Sequence, residues 1–145
     1  MARPRDNPRD KRKEEYILEF EGQEYLIEVK GVSKSITLAH LRQLNDYLLK
    51  YEEDTGRECK GILFGNAWRH LPPNKQGTKD KPEFPDNVVK RATQWQICLV
   101  SSTSFFAAFS NHLGDTMRAK TILKCLTSAD GVASFAIDGS QEKEI

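Results

Sequence analysis

Tyr25-Leu26-Ile27-Glu28-Val29-Lys30-Gly31 is the stretch on which the reading of this chain turns. Its composition is that of a β-strand, and strand side chains alternate between two faces. Tyr25, Ile27 and Val29 therefore share one face, and Leu26, Glu28 and Lys30 share the other. An acid and a lysine two positions apart, in the most apolar part of a hairpin, are poorly explained as ordinary surface charges. Burying them without partners would cost several kcal/mol. A divalent cation would offset that cost. A structural ion pair or a solvated face is the bland alternative for so short a pattern.

Working back from this strand, Tyr16–Phe20 also favours β structure, and Glu21-Gly22 lies between the two runs. A two-residue turn pairs Phe20 with Gln23 and sets Glu15 directly opposite Glu28. Like charges in that relation repel, whereas two carboxylates beside a lysine form a cradle for a hard cation such as Mg²⁺. Glu-Gly is a less committed turn than Asn-Gly. A three-residue loop would bring Glu14 to the Glu28 side instead, and Asp10 is a more distant candidate.

Working forward, Leu38, Leu41, Leu44, Leu48 and Tyr51 recur at steps of three and four and predict a helix over 36–52. Gly61–Phe64 reads as a short strand of the buried parallel type. Residues 65–84 read as a long loop, of the kind that is usually functional. Pro85 opens a helix over 86–95, and Ile97–Val100 is a second apolar strand. A Ser/Thr-capped helix begins at SSTSFFAAF, an amphipathic helix spans 115–126, and 131–137 is a weak last strand. Strands alternating with helices predict an α/β domain with a mixed sheet flanked by helices.

The chain has 145 residues, 38% of them apolar and 30% charged, with a net charge of +1. One domain is expected over 14–138, and any basic surface must be local. Residues 1–13, with six Lys or Arg, read as a flexible arm, solvated or phosphate-contacting, and 139–145 as a tail. Cys59, Cys98 and Cys125 form no CxxC, and an odd count argues against a disulfide framework. With no apolar run of membrane-spanning length and no secretory leader, a cytoplasmic location without membrane association is expected. His40, His70 and His112 lack metal-ligand spacing, and no Ser-His-Asp set or Gly-rich phosphate loop is visible.

Glu28-Val29-Lys30, with Glu15 ahead of it, resembles the PD-(D/E)xK nuclease superfamily, the restriction-endonuclease-like fold. Its usual first acid is Asp, where this chain has Glu. Gln43-Leu44-Asn45-Asp46-Tyr47 matches the QxxxY helix motif of many such nucleases. The run from Gly61 to Phe109, with Asn66, Arg69, Leu71-Pro72-Pro73 and the Phe-rich helix, is similar to domains of this kind attached to bacterial proteins. The resemblance covers roughly residues 14–135. Such domains commonly begin with a helix before the hairpin, so the chain is expected to be a piece of a larger protein.

The resemblance implies a Mg²⁺-dependent phosphodiesterase, with Mn²⁺ as a substitute. It implies DNA as substrate and an endonuclease rather than an exonuclease. Glu15, Glu28 and the Val29 carbonyl would hold the metal, Lys30 would serve the attacking water, and Gln43 and Tyr47 would close over the site. Lys34, His40, Trp68 and Arg69 are weaker candidates for nucleic-acid contact. His40 otherwise reads as a helix-surface residue, and Trp68 as a core anchor for its loop. A homodimer, or a fused or partner recognition domain, is the expected assembly. The rival expectation is a nuclease fold that has lost activity and binds nucleic acid or protein.

Overall fold

The computed structural model describes residues 2–4, 15–114 and 118–135. Its centre is the hairpin of β2 (Glu15–Phe20) and β3 (Gln23–Gly31). Glu21 and Gly22 both take positive φ, 51° and 81°. Two consecutive left-handed residues make the tight turn whose twist matches that of antiparallel strands. The register follows: Phe20 pairs with Gln23, and Glu15 pairs with Glu28.

A strand that must continue in parallel needs a crossover, and each one here is helical. Helix α1 (Leu38–Thr55) carries the chain from β3 to the parallel β4 (Cys59–Asn66). Helix α2 (Asp86–Trp95) leads to β5 (Cys98–Ser101). Helices α3 (Ser102–Leu113) and α4 (Ala119–Ser128) precede β6 (Gly131–Val132), parallel to β5. Ala2–Pro4 adds an antiparallel edge strand, β1, beside β2. The six strands run in sequence order, β1 to β6, antiparallel on one side and parallel on the other.

Each sheet face has its own core. Leu26, Leu63 and Leu99 meet the α1 stripe of Leu41, Leu44, Leu48 and Tyr51, with Val88 and Ala92 of α2. Gly61 and Gly65 let these layers close. A Cβ on Gly61 would sit 2.8 Å from Leu48 Cδ1, and one on Gly65 2.8 Å from Ile36 Cγ1. On the other face, Ile62, Cys98 and Val100 pack against Ala108, Ile122 and Leu126. Phe64 and Phe105 meet edge to face at 5.1 Å. Burial, aided by Asp130 and Cys125, pushes the Cys98 thiol up to about 12. Among the described residues no helix is long and apolar enough to cross a membrane.

Several boundaries differ from expectation. Helix α1 begins at Leu38 because Thr37 caps it, while Ile36 is fully buried as loop. Of the strand expected over 131–137, only Gly131–Val132 is paired among the described residues, with 136–137 outside them, and the fourth helix lies at Ala119–Ser128, with 115–117 likewise outside. The arm expected to be free at 1–13 contributes Ala2–Pro4 to the sheet; Glu14 and Asp10 lie outside the described residues.

Candidate functional site

Glu28 lies on the α1 face of β3 and is 1% exposed. Both of its carboxylate oxygens are buried. Lys30, two positions on, turns to the same face, and its Nζ stands 3.4 Å from Glu28 Oε1 with the side chain 23% exposed. The lysine therefore connects a buried acid to solvent. Glu15 is the cross-strand partner of Glu28, so their Cα atoms are directly opposed. The Glu15 side chain lies outside the described residues. Val29 points its side chain to the opposite face, where it is 40% exposed.

Helix α1 leans over this face. Gln43 and Tyr47, one turn apart, are half-buried, and Gln43 Nε2 donates to the Tyr47 hydroxyl at 3.1 Å. Tyr47 also packs against the α1-side core. The pair is therefore held in a fixed orientation, which neither side chain would keep on a bare helix surface.

His40 is not an ordinary surface histidine. The Thr37 N–H donates to His40 Nδ1 at 3.0 Å, while the Thr37 hydroxyl oxygen accepts from the His40 N–H. This is a capping box with histidine in the place usually held by Glu or Gln. Accepting at Nδ1 fixes the neutral tautomer with its proton on Nε2. Burial, and then the charge of Lys30, lower its pKa below the usual 6.5. The expected contact between His40 and nucleic acid is thus at most a neutral N–H donor, because the ring's other nitrogen caps the helix.

Beyond Lys30 the chain is tied to the long loop. Val32 N–H donates to Asn66 O, Trp68 N–H to Lys34 O, Arg69 N–H to Val32 O, and Ile36 N–H to Glu83 O. Trp68 takes a positive φ of 53°. Its ring packs on the α1-side core, and its Nε1 donates to Pro82 O. Arg69 goes the other way: its Cδ lies 3.7 Å from where a Gly31 Cβ would be, on the α3 face. Trp68 and Arg69, adjacent candidates for nucleic-acid contact, are thus divided by the sheet edge. Trp68 is an anchor, and His70 and Arg69 are exposed. Lys34 is exposed in the same tied segment.

The near-zero net charge hides a separation. Lys30, Lys34, Arg69, Lys75, Lys79 and Lys81 lie at the C-terminal ends of β3 and β4 or on the loops leaving them, with Asp80 and Glu83 as the acids there. At the other end, Glu19, Glu24 and Glu58 line a depression with Arg57. There Glu24 pairs with Arg57 at 3.3 Å and accepts from the Tyr51 hydroxyl at 3.0 Å. Burial and Glu24 raise the pKa of Tyr51.

Sequence reasoning missed the Thr37 cap, although a Thr three residues before a side-chain acceptor was there to find. It also missed the contact of Thr103 with Glu83, whose hydroxyl donates to the carboxylate at 2.8 Å. No pattern in the long loop announced that pairing. Among the described residues, no group of three or more His, Cys, Asp or Glu side chains could hold a metal ion. No family model, curated protein or solved structure matches the chain.

Proposed function

We propose that the chain is a divalent-metal-dependent nuclease domain of the restriction-endonuclease-like kind, hydrolysing phosphodiester bonds of DNA. The observation that carries this reading is Glu28, a carboxylate 1% exposed, beside Lys30 and across from Glu15. A buried acid next to a partly exposed lysine at the C-terminal end of a strand serves stability poorly. It suits a site that must hold a cation and meet a polyanion. The strand order, with an antiparallel hairpin leading through α1 to a parallel strand, is consistent with that fold.

Glu28 and Glu15 are the acids that would hold the metal. Mg²⁺ keeps several waters and is commonly held by one or two carboxylates; Glu28 would supply one, and Glu15, whose Cα lies opposite on the adjacent strand, would supply the second. Bound there, the cation would neutralise charge on the phosphate and acidify a water. Lys30 orients that water and stabilises negative charge as it develops on phosphorus oxygens. Gln43 and Tyr47, hydrogen-bonded to each other, would close over the site. The basic rim attracts the phosphate backbone without needing a basic protein.

The test is incubation of supercoiled plasmid and of circular single-stranded DNA with the protein in Mg²⁺ or Mn²⁺. The wild type is expected to nick or cut, and Glu28→Gln to be inert. Equal cutting by both proteins, or none by the wild type with either metal, removes the reading. In the second case the inactive binding-module alternative takes its place.

A further inference from the structure

Phe106, in the first turns of α3, is 70% exposed, an unusual state for a phenylalanine ring. It lines a cavity of about 390 Å³ with Asn66, Arg69, Leu71, Pro73 and Thr103. The cavity lies at the C-terminal ends of β4 and β5, the side of the sheet on which Lys30 also ends its strand. Crevices outside the carboxyl ends of parallel strands are the usual ligand sites of such sheets. Arg69 is exposed, and among the described residues no carboxylate pairs with its guanidinium. Its stem lies over Gly31, the residue directly after Lys30. With no side chain on Gly31, the Arg69 stem packs directly against the end of β3.

We infer that this cavity is a subsite for one unpaired nucleotide, its base stacked on Phe106 and its phosphate held by Arg69. The inference rests on the nuclease reading for what lies next door: a strand bound at Lys30 continues past the end of β3 into the cavity. An aromatic face with an adjacent free cation is how sequence-neutral single-strand sites are built. Stacking on the exposed ring needs a base freed from its partner, so the favoured substrate is single-stranded DNA or a frayed end. Charge argues for this occupant: Arg69 lines the cavity, Lys75 and Lys34 sit on loops at the same end of the sheet, and the nearby Glu83 carboxylate is engaged by the Thr103 hydroxyl.

The experiment is fluorescence anisotropy with a labelled oligothymidylate and a labelled blunt hairpin duplex, both in EDTA so that nothing is cut. Phe106→Ala should weaken oligothymidylate binding about fivefold or more, the lower end of base-stacking energies. It should leave duplex binding unchanged, and Phe106→Trp should retain affinity. Arg69→Ala should reduce the salt slope for the single strand by about 0.7. The proposal is overturned if the wild type fails to bind oligothymidylate. It is equally overturned if Phe106→Ala binds as the wild type does or loses both ligands alike. Sedimentation showing a wild-type dimer that Phe106→Ala dissociates would assign the ring to a second copy instead. A wild type that binds the single strand through Phe106 yet cuts nothing in Mg²⁺ would keep the subsite and remove the nuclease reading.

Discussion

Glu28→Gln separates a carboxylate kept for a metal from one kept for the fold. At the observed 3.4 Å from Lys30, an effective dielectric near 20 gives about 5 kcal/mol of attraction. Desolvating a buried carboxylate costs several kcal/mol, so the two terms nearly cancel. Lys30, 23% exposed on its side chain, keeps access to water when its partner becomes neutral. The metal-free variant should therefore melt close to the wild type. Magnesium should act in the opposite sense. At about ten times its Kd it stabilises a protein with one site by roughly 1.4 kcal/mol. For a domain of this size that is a rise of about 4 °C in Tm. The wild type should show it and Glu28→Gln should not. Differential scanning calorimetry in EDTA and in Mg²⁺ reads both. A metal-free variant several kcal/mol less stable than the wild type, or an equal magnesium shift in both proteins, refutes the reasoning.

Other perturbations have equally definite outcomes. Gly61→Ala drives a methyl to 2.8 Å from Leu48 and 3.3 Å from Leu44, and overpacking of this kind costs about 1–3 kcal/mol, readable by urea unfolding. Thr37→Ala removes the α1 cap and should cost about 1 kcal/mol by the same assay. His40 adds a pH dependence. Its folded pKa is depressed, so the unfolded chain binds more protons. Its contribution is complete above pH 6.5 and is lost as pH falls through the folded value. A proton NMR titration of His40 should show a midpoint below 6.5 that rises toward it in Lys30→Met; an unshifted midpoint in the wild type contradicts the geometry.

What could be read in advance was whatever has a period. Alternation put Leu26, Glu28 and Lys30 on one face, and Leu26 and Glu28 are indeed buried there together. The heptad-like stripe of α1 is buried at Leu41, Leu44, Leu48 and Tyr51. The hairpin register followed from one assumption, a two-residue turn, which Glu21 and Gly22 satisfy by both adopting positive φ. The loop was not legible, because no period governs residues 67–85. A single left-handed residue, Trp68, sends its own ring to one face of the sheet and Arg69 to the other. That split, invisible in the string Trp68-Arg69-His70, moves Arg69 from the acid–lysine site to the cavity beside Phe106. The role of His40 was hidden for a similar reason, since its spacing suited the cleft while its hydrogen bonds belong to the cap.

Cutting of DNA by Glu28 and Lys30 with a divalent metal, as proposed, is tested most directly by single-turnover cleavage of an end-labelled DNA by wild type and Lys30→Ala. Excess protein in Mg²⁺ should cleave the wild-type reaction to completion, while Lys30→Ala slows it by about 10²–10⁴-fold, the usual worth of a positioned proton-transfer group. EDTA should stop both. Equal rates for the two proteins, or cleavage that survives EDTA, would contradict the account.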